Sequence, residues 1–171
     1  MENFTNNTVN INELPRFETV AFQKLQPAYW KVVVINRLIV FAVLTLAIGV
    51  ADYLIDEIKN EIIYFWIVLA IIIVLTFLFS RIAFVKKGFV FREHDVLFKN
   101  GIIATNTIII PYNRVQHVAL HEGLLSRYFG LAKIEIFTAG GSSSDIKIPG
   151  IEKEQAEKIK QLLMGKIQQQ L

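Results

Sequence analysis

LIVFAVLTLAIGVADYL (residues 38–54) and IIYFWIVLAIIIVLTFLF (residues 62–79) lie seven residues apart and decide the fold. Each stretch is too long and too continuously apolar to leave one face for water, as a helix in a small soluble core must. The second holds no charged residue, and the charges nearest the first, Arg37 and Asp52, sit close to its ends. The pattern predicts a transmembrane helical hairpin with spans at about residues 32–55 and 62–83. At 1.5 Å per residue the first span is roughly 36 Å long, enough to cross a hydrocarbon core of about 30 Å with some tilt. Arg37 can snorkel to the near interface and Asp52 lies toward the far end, so both read as interfacial anchors rather than pore or substrate groups.

The connection DEIKNE (residues 56–61) is short, which makes the helices antiparallel neighbours. Tyr29, Trp30 and Lys31 before the first span, and Tyr64, Phe65 and Trp66 in the second, have the character of aromatic collars at headgroup level. Basic residues set the direction: Lys31 and Arg37 precede the hairpin and Arg81, Lys86 and Lys87 follow it, against one Lys among three acids in the connection. The positive-inside rule then puts both termini, and the domain after the hairpin, on the cytoplasmic side, with the short connection outside.

Of the 171 residues, 53% are hydrophobic and 19% charged, an apolar excess concentrated in the hairpin. Three segments follow: an N-terminal arm (1–31), the hairpin (32–84), and a remainder (85–171) large enough for one small domain. Residues 85–171 carry twelve basic and eight acidic side chains, a +4 balance too mild for a nucleic-acid stripe but suited to an anionic leaflet. There is no cysteine, so disulfides, thiol catalysis and Cys-based metal sites are excluded. The polar start MENFTNNTVN has no signal-peptide pattern, so the first span is expected to serve as the uncleaved targeting signal.

Residues 1–14 read as a flexible start. Phe17, Val20, Ala21, Phe22 and Leu25 suit a short amphipathic interfacial segment ended by Pro27. After Val85 the period falls to two. Phe89-Val90-Phe91 and Val96-Leu97-Phe98 are predicted strands around the turn Arg92-Glu93-His94-Asp95. A second turn at Asn100-Gly101, Ile102-Ile103, a Thr-Asn-Thr break (residues 105–107) and the run Ile108-Ile109-Ile110 come next, with Pro111 halting the ladder. Further strands are predicted over residues 115–120 and 133–137, the latter with Ile134 and Ile136 on one face and Lys133 and Glu135 on the other. Residues 140–144 form a Gly/Ser turn, and Ile146 and Ile148 a last short strand before Pro149-Gly150. Ala156, Ile159, Leu163 and Ile167 recur at helical spacing, with Glu152, Glu154 and Glu157 favouring the positive end of the dipole. Short antiparallel strands closed by one amphipathic helix make an α+β domain, with no strand-helix-strand alternation of a parallel nucleotide-binding sheet.

The runs Ile110-Pro111-Tyr112-Asn113-Arg114-Val115-Gln116-His117-Val118, Gly123-Leu124-Leu125-Ser126-Arg127-Tyr128-Phe129-Gly130-Leu131-Ala132 and Ile136-Phe137-Thr138-Ala139-Gly140-Gly141 resemble the bacterial pleckstrin-homology-like, membrane-flanked domain of YdbS-type proteins. The patterns IPY-x-R-[IV]-Q, R-x-FGLA and TAGG occur in that family's order, over about residues 29–165. The resemblance implies a bent antiparallel sheet capped by the C-terminal helix, no assigned catalytic activity, and structural roles for Pro111, Tyr112, Arg114, Gln116, Arg127, Phe129, Gly130, Thr138 and Gly140. It suggests that Arg114 and Arg127 contact backbone carbonyls or carboxylates to fix the loop between them, and that Gly130 takes a backbone conformation other residues dislike.

No residue set suggests an enzyme. His117 and His121 would share a helix face, but on a strand they lie about 13 Å apart and do not make a metal site. The serines lack a nucleophile elbow, and Gly140-Gly141 lacks the Lys and spacing of a phosphate loop. No cofactor is expected. Lys86, Lys87, Arg92 and Lys99 are the candidate lipid-headgroup contacts, each worth about 1 kcal/mol near an anionic surface, although Lys86 and Lys87 also serve the positive-inside rule. The expected function is a non-enzymatic, membrane-anchored interaction module, with the lipid bilayer and another membrane protein or a second copy as partners. An anionic-lipid sensor, or a small subunit of a transport complex resting on Arg37 and Asp52, are the alternatives.

Overall fold

The computed structural model describes residue 8 and residues 17–55, 61–139 and 145–168. Two long helices dominate it: α1, Pro27–Leu54, and α2, Ile62–Lys86, each long and apolar enough to cross a membrane. Pro27 sits at the start of α1, where its missing N–H costs nothing, so it opens this helix instead of ending an earlier one. Phe41 and Phe77 meet between the helices at 6.3 Å. Val43, Leu46 and Val74 are each more than 60% exposed, an apolar surface suited to the hydrocarbon of a bilayer. Arg37, exposed, and Asp52, half-buried, fall on α1 about 22 Å apart at the helical rise.

The predicted amphipathic segment before α1 takes a different form. Phe17–Thr19 is a single 3-10 turn, and Gln23–Lys24 is a strand, β1. β1 pairs antiparallel with β2, Gly88–Phe91, which lies beyond both long helices: Gln23 is opposite Phe89 and Lys24 opposite Gly88. The hairpin is therefore inserted between two neighbouring strands of one sheet. A boundary at residue 85 cuts β1 from its partner, and Leu25, 4% exposed, belongs to the domain core.

The first sheet continues with β3, Asp95–Asn100, and β4, Asn106–Pro111, in the order β1-β2-β3-β4. The turn after Gly101 spans residues 101–105, so Asn106 and Thr107, read from sequence as part of a break, are in β4 opposite Asn100 and Lys99. Pro111 is the last residue of β4, and a 3-10 turn, Tyr112–Arg114, swings the chain into the second sheet. That sheet is β5, Val115–His121, β6, Leu131–Thr138, and β7, Ile146–Glu152, all antiparallel in the order β5-β6-β7. A short helix α3, Leu124–Tyr128, joins β5 to β6. The C-terminal helix α4, Lys153–Gln168, lays Ala156 and Leu163, both at most 1% exposed, against Ile134, Ile136, Ile146 and Ile148. Two antiparallel sheets of four and three strands with a capping helix are the pleckstrin-homology-like arrangement expected from the sequence.

β7 does not stop at Ile148. Two residues, Pro149 and Gly150, stand where β6 offers only Lys133, and pairing resumes at Ile151 opposite Ala132. This bulge is where α1 docks. The Gln26 N–H donates to the Gly150 carbonyl at 2.9 Å, and the Tyr29 side chain lies against the Gly150 Cα. Gly150 has φ +65°, and a Cβ there would stand 2.5 Å from Tyr29 Cγ. Gly130 has the same φ with nothing within 4 Å of such a Cβ. The pair separates two effects. Gly130→Ala should cost only the left-handed strain, about 1–2 kcal/mol. Gly150→Ala adds a clash worth about 1–3 kcal/mol more. Thermal unfolding of both variants in the same detergent should rank Gly150→Ala clearly below Gly130→Ala; equal losses would mean that α1 is not seated on the bulge.

Candidate functional site: the membrane-side joint

At the joint, α1 begins and α2 ends side by side. Phe84 packs on Tyr29 and Trp30, with ring centroids at 6.4 and 5.7 Å, and the Arg81 guanidinium lies 5.1 Å from the Trp30 ring centre. The last carbonyls of α2 lack partners within the helix. The Lys24 ammonium satisfies that of Val85 at 3.1 Å and brings positive charge to the negative end of the helix dipole.

Lys24, Lys86 and Lys99 converge on a cavity of about 340 Å³ floored by Phe17, Val20 and Phe22 and closed by Gly88 and Thr107. No acidic side chain is among these lining residues. The Lys86 ammonium donates to the Ile102 carbonyl, and that of Lys99 lies 5.7 Å from the Phe22 ring centre. The structure thus gathers two of the four predicted headgroup contacts and adds Lys24. Lys87 is half-buried outside this lining, and burial holds its ammonium below the usual lysine range. Arg92 does not belong to the rim. Because β2 and β3 pair antiparallel with Gly88 opposite Lys99, Arg92 falls at the other end of their hairpin, in a bidentate ion pair with Asp95. That pairing raises the guanidinium's pKa further.

A second cleft, of about 360 Å³, lies on the α1 side, lined by Tyr29, His121, Glu122, Ser126, Lys133 and Gly150 among others. Its charged side chains are engaged by Glu135 and Lys153 just outside the lining. Glu135, 8% exposed on the face predicted to point outward, accepts from Lys133 at 2.6 Å and lies 3.5 Å from His121 Nε2. Glu122 pairs with Lys153 at 3.1 Å. The Lys133 hydrogen bond outweighs burial and holds the Glu135 carboxyl below its ordinary value of 4.5. His117 stacks on Phe137 at 4.1 Å. Among the described residues no group of three or more His, Asp or Glu side chains is placed to hold a metal ion.

The motif residues lie outside the lining of the lysine cavity. Tyr112, 2% exposed, donates its hydroxyl to the Arg92 carbonyl at 2.6 Å, while its N–H donates to the His94 carbonyl. Burial pushes its phenol up to about 12. Gln116 is exposed at the β5 bulge between Val115 and His117. Phe129 and Gly130 close α3 through N–H donation to Leu125, Ser126 and Arg127 carbonyls. Thr138 donates both its N–H and its hydroxyl to Asp145, which holds that carboxyl below its ordinary value of 3.8. The expected carbonyl or carboxylate contacts of the Arg114 and Arg127 side chains are not formed with the described residues; both side chains are exposed, and the Arg114 carbonyl instead accepts from the Ala139 N–H. Gly140, the connection at 56–60 and the turn at 141–144 lie outside the described residues, as does most of the segment 1–14.

Residues 32–167 match the family described as "Bacterial PH domain". The match covers most of the chain, which belongs to that family. The "UPF0699 transmembrane protein YdbS" of Bacillus subtilis (strain 168) is 31% identical over 88 residues, 52% of this chain and 54% of that protein. The chain thus aligns with about half the length of this curated relative. No solved structure matches. With a transmembrane relative and two apolar helices, the chain is a membrane protein carrying a pleckstrin-homology-like domain.

Glu135 and Asp145 make the domain acid-sensitive in a defined direction. Each carboxyl is lower in the folded chain than unfolded, so its stabilisation is complete above about pH 4.5 and is lost as pH falls through the depressed folded value. The melting temperature should therefore drop on acidification below about pH 4.5, and Glu135→Gln should flatten that drop. An identical acid dependence in wild type and variant would contradict the Glu135 assignment.

Proposed function

We propose that this member of the bacterial PH domain family is a non-enzymatic interaction module that holds its domain in a fixed attitude at the cytoplasmic face of the inner membrane and binds another membrane or envelope protein, or a second copy of itself. The observation that carries this reading is the insertion of the hairpin between β1 and β2. A domain attached by one flexible linker samples many orientations, whereas one entered and left by two helices in adjacent strands presents a constant surface to a partner in the same membrane. The lipid-facing side chains of the spans suit an anchor better than a conduit. The terminal strand β4, with Ile109 43% exposed, supplies an edge on which a partner strand can add.

Two measurements test this. A cysteine placed at His94, which is 91% exposed, should react with an impermeant maleimide only after the membrane is opened, as a cytoplasmic domain requires. Purification in several mild detergents should yield one stoichiometric partner or a defined oligomer, lost in Ile109→Arg at unchanged melting temperature. Elution of a lone monomer in every detergent, without crosslinks in intact cells, would count against the reading.

The cavity of Lys24, Lys86 and Lys99 favours a second reading, capture of an anionic lipid headgroup. At about 1 kcal/mol per lysine near an anionic surface, Lys99→Gln should weaken retention of anionic lipid about fivefold in a salt-sensitive way. Unchanged retention would remove this reading.

A further inference from the structure

We infer that the domain rests on the bilayer through two apolar feet, one on each side of the hairpin: Ile102 and Ile103 in the β3–β4 turn, and Leu124 and Tyr128 on α3. The occupant of both surfaces is the interfacial layer of lipid.

Exposure identifies the feet. Ile103 is 92% exposed, Leu124 86% and Tyr128 82%, among the largest values of the apolar side chains among the described residues and above those of Val43, Leu46 and Val74 on the spans, while Ile102 beside Ile103 is 38% exposed. A soluble domain gains nothing by leaving such side chains in water at two places. Leu124 and Tyr128 are four apart on one helical turn and so share a face.

Placement identifies what covers them. The Trp30, Arg81 and Phe84 cluster brings the start of α1 level with the end of α2, at the depth where aromatic and basic side chains meet headgroups. The turn carrying Ile103 is tied to that level, because the Ile102 carbonyl accepts from Lys86, the last residue of α2. Lys86 lies about 8 Å along the helix from Arg81, about the depth of one headgroup layer. The other foot is fixed to the same level from the α1 side: Gly123 and Ser126 line one cleft with Tyr29, and α3 touches α1. Both feet therefore lie within a side chain's reach of the surface into which the spans continue. Lys99 on one side and Arg127 on the other flank them with charges suited to phosphates. This inference needs no protein partner and stands apart from the proposed interaction role.

Because the chain has no cysteine, single probes are unambiguous. The full chain carrying Ile103→Cys, Leu124→Cys or His94→Cys, each labelled with an environment-sensitive nitrobenzoxadiazole dye, is placed in nanodiscs of mixed anionic and zwitterionic phospholipid. At positions 103 and 124 the emission should shift to the blue and be quenched several-fold more strongly than at 94 by lipids bearing a nitroxide at a shallow acyl carbon. Emission and quenching like those at 94 would overturn the inference. A blue shift without lipid quenching would do so as well, since it would mean that protein, not lipid, covers the feet.

Discussion

Everything in this molecule depends on the pairing of Gln23 and Lys24 with Phe89 and Gly88 across the membrane hairpin, reinforced by the seat of Gln26 and Tyr29 on Gly150. Closing a loop of this length in a flexible chain is entropically unfavourable, by an amount that grows as the logarithm of its length. The hairpin changes that cost. Two antiparallel helices packed about 8–10 Å apart return the chain close to where it left, so the strand pairing requires little further ordering. In turn, β1 and β2 fix the separation and level of the helix ends, and the Lys24 side chain reaches back to the last turn of α2.

This mutual fixing explains features that are otherwise unrelated. The bulge at Pro149 and Gly150 interrupts β7 at the point where α1 needs room, and only a residue without Cβ accommodates Tyr29 there. A Cβ on Gly88 would stand 3.1 Å from the Phe22 Cβ and 3.3 Å from the Gln23 carbonyl oxygen, so a larger residue there would make β1 give way by a few tenths of an ångström. Three lysines gather at the C-terminal end of α2, where cations complement the helix dipole; Lys24 bonds the Val85 carbonyl of that helix and Lys86 the Ile102 carbonyl of the β3–β4 turn. The membrane and the domain thus share one set of contacts instead of being joined by a linker.

Much of this was legible in the residues. Length and apolarity give the hairpin, and short apolar runs between turns, with period-two alternation in β5 and β6, give the main strands from β2 to β6, because these signals are local. What escaped was set by distant partners. β1 is two polar residues whose strand character exists only through Phe89 and Gly88, far along the chain. β7 continues past a Pro-Gly pair that ordinarily ends a strand because a bulge absorbs it. α3, five residues long, is too short to display a helical period. Glu135 points to the predicted face, yet Lys133 and His121 cover it. Arg92 shares the positive charge of Lys86, Lys87 and Lys99, but antiparallel pairing of its hairpin sends it to the opposite end. Lys24 completes the rim only through the β1–β2 pairing, which no local pattern announces.

The most direct test of the inserted hairpin uses the contact between β1 and α4, where the Gln155 side-chain amide donates to the Gln23 side-chain oxygen at 3.0 Å. Replacing both by cysteine, Gln23→Cys with Gln155→Cys, in a chain that otherwise has none leaves one pair to join. In native membranes, a bifunctional thiol reagent long enough to replace the two glutamine side chains should produce an intramolecular crosslink between a residue before the spans and one near the end of the chain. Free thiols at both positions, with the protein folded and inserted, would show that β1 does not join the sheet and that the anchor and the domain are separate units.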